Sequence, residues 1–166
     1  MNKNWNTRVY GCTQDYADLS DLKVQEGRFW TQKEYNARAR VAVIGKTVAT
    51  GLFGEEDPIG KKVRIHGNPF TVIGLLEGKG YSFMDQDDRV LCPFSTVQER
   101  MLHITYVNNI VISADNSSDL SQIESDVTNL LRTRHRVSGT DDDFSIQNSQ
   151  DLIKTMESTT QTLTIF

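Results

Sequence analysis

Arg40-Val41-Ala42-Val43-Ile44-Gly45-Lys46-Thr47 is the stretch on which the reading of the whole chain turns. Four apolar residues in a row, bounded by Arg40 and Gly45, fit a strand buried on both faces, where neither side meets water. A helix follows it, with Val48, Leu52 and Phe53 on one side and Gly54 as its C-terminal stop. Ahead of it, Thr31-Gln32-Lys33-Glu34 is a capping box: hydroxyl and carboxylate each satisfy an orphan amide, which predicts a helix over 32–39.

Outward from this centre, Asp57-Pro58-Ile59-Gly60 has Asp, Pro and Gly where a type I turn prefers them. Strands are predicted at 62–66 and 70–77, joined at Gly67-Asn68-Pro69, with Val63 and Ile65 alternating as in a hairpin. Residues 78–88 are polar and contain glycine, the pattern of a surface loop that faces partners. A strand at 89–94 leads to a second capping box, Ser95-Thr96-Val97-Gln98, and a short helix through Leu102. Nearer the N-terminus, residues 7–13 read as a strand, and 15–22 place Tyr16, Leu19 and Leu22 on one helical face.

The last third reads as strand, helix, strand. Residues 107–114 form the first strand, and 144–147 the second. Between them Leu120, Ile123, Val127, Leu130 and Leu131 keep the helical period, and Arg132, Arg134, His135 and Arg136 suit the negative end of the helix dipole. A final helix from about Gln150 carries Leu152, Met156 and Leu163 on one face. The sum is an α+β chain in two lobes.

Composition narrows the function classes. A chain of 166 residues, 37% hydrophobic, is long enough for a real core and too apolar for a disordered segment. Its 22 acidic and 18 basic side chains leave a net charge of −4, which argues against a nucleic-acid binder. No apolar run approaches the ~18 residues of a membrane span, and Met1-Asn2-Lys3-Asn4-Trp5-Asn6 lacks the features of a signal peptide. Cys12 and Cys92 each sit in an apolar run and read as small buried thiols.

Several motifs approach a chemistry without completing it. Gly45-Lys46-Thr47 between a strand and a helix has the setting of a phosphate-binding loop, but Arg40 stands where that loop needs its first glycine. A calcium loop starting at Asp85-Gln86-Asp87-Asp88 would need glycine at its sixth position, which is Val90. Asp141-Asp142-Asp143 is an acidic run without the rest of a ligand set, and His66, His103 and His135 stand at no metal spacing. Gly80-Tyr81-Ser82-Phe83-Met84 lacks the second glycine of a nucleophile elbow. No catalytic, cofactor-binding or metal-binding residue is assigned, and the partner-binding residues stay open.

The order of short motifs carries a resemblance. Tyr10-Gly11-Cys12-Thr13-Gln14-Asp15-Tyr16 is followed by Glu26-Gly27-Arg28-Phe29, then by Arg40–Gly45. Leu52-Phe53-Gly54-Glu55-Glu56-Asp57-Pro58-Ile59-Gly60-Lys61, the most specific piece, precedes Phe70-Thr71-Val72-Ile73-Gly74 and Val90-Leu91-Cys92-Pro93-Phe94-Ser95-Thr96. Together they resemble the MacB-like periplasmic core domain of ABC transporter permeases, in the MacB/FtsX-type superfamily. The resemblance implies a partial porter-like βαβ lobe and an inserted strand-rich mixed lobe, ending in a stalk helix. Residues 1–16 would be the truncated first part of the porter-like lobe, 17–105 the inserted lobe, 106–148 the returning half, and 149–166 the stalk toward a transmembrane helix. The family's first porter strand and helix would precede Met1.

The implied function is mechanical: a domain outside the membrane relays motion from ATP hydrolysis on a separate cytoplasmic domain to the export of a drug, peptide or lipid. The resemblance implies no catalytic residue and no cofactor. Implied partners are the protein's own transmembrane helices, a cognate ATP-binding domain, a second copy of the permease and a periplasmic adaptor, with no nucleic acid. The domain would be periplasmic in a Gram-negative envelope. The alternative within the superfamily is an FtsX-like or lipoprotein-releasing permease; outside it, a soluble enzyme or nucleotide binder would reveal itself by ATP or GTP binding that Lys46→Ala abolishes.

Overall fold

The computed structural model describes residues 3–80, 87–114, 116, 119–137 and 141–148. In chain order the elements are β1 (Arg8–Cys12), α1 (Asp15–Leu19), β2 (Val24–Gly27), α2 (Gln32–Asn36), β3 (Val41–Ile44), α3 (Lys46–Phe53), β4 (Lys62–Ile65), β5 (Asn68–Leu76) and β6 (Arg89–Pro93). After them come α4 (Phe94–Thr96), which runs straight into a π-helical turn over Val97–Leu102, and α5 (Leu120–His135). The chain divides into two compact units, Met1–Val111 and Ile112–Phe166.

The first unit is built on a mixed six-stranded sheet in the order β1-β6-β3-β5-β2, with β4 also paired to β5. The run that opened the sequence reading lies inside it: β3 is parallel to β5 and antiparallel to β6. Ala42 and Ile44 point to one face, into a cluster with Val48 and Ala49 of α3, Phe70, Val72 and Cys92. Val43 points to the other, joining Cys12, Ala17 of α1, Trp30, Leu76 and Leu91, with Tyr35 of α2 at its margin. Ala42, Val43 and Ile44 are each 0% exposed, and Val41 at the start of the strand is half-buried. Helices cover both faces, so the last three positions of the strand leave no room for a polar side chain.

β5 is the hub. Thr71–Leu75 pair with β3, while β4 takes Asn68–Thr71 and β2 takes Gly74–Leu76. The approach of β2 needs glycine: Gly27 has φ +80°, and a Cβ there would lie 2.2 Å from the Ile73 carbonyl oxygen.

Local chemistry departs from the sequence reading in several places. The hairpin turn is His66-Gly67, one step earlier than expected, because Ile65 pairs with Asn68. Both turn residues have positive φ, +47° and +78°, the type I′ geometry whose twist matches the strands. The turn after α3 is closed by the Lys61 amide on the Pro58 carbonyl, with Gly60 at φ +79°, while Asp57 accepts from the Ile59 amide. It is thus a glycine-dependent turn one residue on from the expected type I. The capping box of α2 forms as read, but the helix stops at Asn36.

The second capping box does not form. The Ser95 hydroxyl donates instead to the Tyr35 carbonyl and the Thr96 hydroxyl to the Ala39 carbonyl. Those two oxygens lie at and after the end of α2, and the Tyr35 carbonyl also accepts from the Arg38 amide at 3.1 Å. β1, which falls in the segment expected to begin the porter-like lobe, pairs in parallel with β6 and shares the sheet of residues 24–93.

In the second unit α5 forms as the periodicity requires. Segment 107–114, whose first five residues belong to the first unit, and segment 144–147 take no ladder pairing among the described residues, which corrects the two strands expected there. Strand propensity alone forms no strand; it takes a neighbour to receive the backbone hydrogen bonds. The expected helix from Gln150 lies outside the described residues.

Candidate functional site

Three features gather where β3 passes into α3 and β6 begins: the N-terminal arm before β1, the N-terminus of α3 and the base of the 78–88 segment. Trp5, Lys46, Thr47, Thr50, Gly51 and Asp87 line an open cleft there. Asp87 organises it. Its carboxylate accepts from the Lys79 amide at 2.9 Å and the Gly80 amide at 3.2 Å. Its carbonyl accepts from the Thr47 amide at 3.2 Å, and the Arg89 carbonyl accepts from the Gly45 amide at 2.9 Å.

This geometry weighs against a phosphate loop. The Thr47 amide at the start of α3 already has a backbone partner, and the backbone of Asp87 lies where a phosphate would have to enter. A Cβ on Gly45 would stand 2.1 Å from the Asp87 carbonyl oxygen, so the glycine serves a strand-to-helix packing contact. Lys46 runs its alkyl chain past Gly78, 3.1 Å from where a Cβ on that residue would sit.

The remaining sequence candidates scatter. Asp85 lies outside the described residues; Asp88 accepts from the Trp5 indole N–H at 2.9 Å. Lys79 reaches the Ser20 carbonyl at 3.3 Å and Asp21 at 3.6 Å, tying the same base to the end of α1. His66 sits in its turn, and His103 caps the π-helical turn at φ +54°. In the second unit Arg132 makes a two-pronged bond to Asp142, 2.8 Å on each arm, and His135 lies 2.7 Å from Asp143 with its ring edge-on to Phe144. The basic helix end and the acidic run thus meet each other, and Arg132 holds the Asp142 carboxyl below its ordinary pKa. Among the described residues no group of three metal-ligating side chains converges.

Cys12 and Cys92 are free and buried. They belong to the clusters on opposite faces of the sheet, which keeps the sulfurs apart. Burial pushes the Cys12 thiol up to about 12 and raises Cys92 as well, so neither is a thiolate at neutral pH.

Two surfaces escaped the sequence reading. Trp5 lay in a polar segment ahead of the first strand, and its only signal was a large aromatic among Asn residues. The other is an exposed apolar band: Tyr106, Val107, Ile110, Val111 and Ile112 are all at least 48% exposed. Five large apolar side chains within seven residues of chain are thus open to solvent.

The fold and this corner define a mixed α+β module whose polar groups hold backbone together. The family model for the MacB-like periplasmic core domain matches residues 1–130, and the chain belongs to that family. The chain is 39% identical to the macrolide export ATP-binding/permease protein MacB of Bdellovibrio bacteriovorus, over 99% of this chain and 26% of that protein. It is 34% identical to the MacB of Chlorobium phaeobacteroides, over 99% and 25%. The chain therefore spans about a quarter of the length of these curated relatives. Among solved structures, the periplasmic region of MacB from Actinobacillus actinomycetemcomitans superposes with a TM-score of 0.69 at 29% identity, over 90% of this chain and 64% of that one. The extracellular domain of the noncanonic ABC-type transporter YknZ from Gram-positive bacteria gives 0.69 at 25% identity, over 78% and 65%.

Proposed function

We propose that this chain is the extracytoplasmic domain of an ABC transporter permease. It relays conformational change from ATP hydrolysis on a separate cytoplasmic domain to the export of a drug, peptide or lipid, and it docks partner proteins. The observation that carries this reading is the superposition on a MacB periplasmic region across 90% of the chain, accompanied by 39% identity to a full-length macrolide export protein. The domain is non-catalytic in this reading, with ATPase activity on another domain. No helix among the described residues is long and apolar enough to cross a membrane, so the membrane helices would belong to other parts of the protein.

In this reading residues 17–105 form the strand-rich lobe, joined by β1. Residues 106–148 return as part of a porter-like lobe, and 149–166 lead as a stalk toward the membrane. The exposed band from Tyr106 to Ile112 supports a docking role, since it offers apolar surface that a partner or another part of the assembly would cover. The partners are the protein's own membrane helices, a second copy of the permease and, in a two-membrane envelope, a periplasmic adaptor.

A cross-link in the intact transporter, from the sheet of the first unit to α5, tests the relay. Transport is expected to stop while ATP binding is unchanged; transport that survives a verified cross-link overturns the relay. For the 78–88 segment, the informative deletion removes 81–86 and keeps Asp87. Adaptor affinity should fall with the fold intact, and unchanged affinity would remove that segment from the docking surface.

A further inference from the structure

The arm before β1 is held at two points by one side chain. The Trp5 ring lies flat enough on α3 that a Cβ at Gly51 would stand 2.4–2.7 Å from three of its ring atoms. Its indole N–H donates to Asp88 at 2.9 Å, immediately before β6 begins. Asp88 follows Asp87, whose carboxylate and carbonyl hold Lys79, Gly80 and Thr47. One aromatic residue therefore touches the body of α3 and the residue next to the one that closes the base of the 78–88 segment.

The contact has the build of a latch and not of a core. Trp5 stays 43% exposed and belongs to neither apolar cluster, whereas Trp30 is 1% exposed and sits within one. Gly51 is a helix-interior glycine, which costs α3 roughly 1 kcal/mol against alanine. Its missing side chain is what lets the ring approach.

We propose that Trp5 latches the segment entering β1 to α3 and Asp88, so that the position of the arm and the order of the backbone at Thr47, Lys79 and Gly80 change together. The coupling runs through the chain: the ring holds Asp88, and the adjoining Asp87 bonds those three amides. This stands on contacts within one unit and does not depend on the transport reading. If that reading holds, the latch is a route by which a pull on the arm reaches a partner-facing segment.

Amide hydrogen exchange of the 166-residue chain tests it, with Gly51→Ala and Trp5→Phe as variants. Gly51→Ala puts a methyl where the ring lies while favouring the helix, and the indole N–H resonance of Trp5 reports whether the ring has left. Trp5→Phe leaves a smaller ring beside Gly51 and removes the donor to Asp88. Exchange at Thr47, Lys79 and Gly80 is expected to rise about tenfold or more in Gly51→Ala and by less in Trp5→Phe, with β3 and β5 amides unchanged. Unchanged exchange at those three amides with the ring displaced would overturn the latch. Loss of protection in β3 and β5 would also overturn it, by making Trp5 a structural part of the core.

Discussion

The sheet unit and the α5 unit are stabilised by different physics. In the first, Trp30, Ile44, Phe70, Leu91 and their neighbours are almost fully withdrawn from water on two faces of one sheet. In the second, α5 is sixteen residues long and none is buried; its last turn is held by the Arg132–Asp142 ion pair, with a hydrogen bond between His135 and Asp143 beside it. Apolar burial is not screened by salt, whereas exposed ion pairs are. Amphipathic periodicity, present in α5, therefore says where a helix could bury a face and not that it has done so.

The largest effect expected from this contrast is in the core. Phe70→Ala, at a ring 1% exposed, should cost about 3–5 kcal/mol, while Leu130→Ala on α5, 55% exposed, should stay within about 0.5 kcal/mol. Denaturant unfolding of the two variants measures the difference; similar losses would mean α5 is buried as deeply as the sheet. Gly45→Ala comes next. Its Cβ would strike the Asp87 carbonyl at 2.1 Å, and overpacking of that kind costs about 1–3 kcal/mol. A neutral result would mean the corner yields freely.

What was legible in the sequence follows the same division. β3, β5 and β6 announced themselves because both of their faces are apolar. β2 went unread because Val24-Gln25-Glu26-Gly27 is an edge strand with exposed Gln25, Glu26 and Gly27, so its pattern resembles a loop. Ser95 and Thr96 have the residue types of a helix start, yet they serve the end of α2, a pairing across about sixty positions that no local pattern records. Of the candidate corner, only Gly45–Thr47 and the 78–88 segment were visible. That Asp87 joins them depends on tertiary placement, and the role of Trp5 depends on the glycine it rests on. The strands expected at 107–114 and 144–147 had the right side chains and no partner strand among the described residues.

Smaller still is the pH effect at Glu34. Two bonds from Arg28, at 2.7 and 2.9 Å, with those of the capping box, hold its carboxyl at about 2, down from 4.5. The folded state binds its proton later than the unfolded state. Its stabilisation is therefore complete above about pH 4.5 and lost as pH falls through 2. Glu34→Gln keeps the cap but not the charge, so acid titration should destabilise the wild type more steeply than the variant between pH 4.5 and 2. Parallel curves would remove Glu34 from the account.

The smallest expected effect is Asp142→Asn, which should loosen the end of α5 at low salt and do nothing at high salt, as read by amide exchange at Arg132–His135. A change of the same size at high salt would mean that packing, and not charge, holds that turn.

The central claim is that this module belongs outside the membrane in a permease. The most direct measurement is the protein sequence encoded on both sides of residues 1–166. The account predicts apolar stretches of ~20 residues before and after the module, with a basic bias on their cytoplasmic side. A reading frame with no such stretch on either side would contradict it.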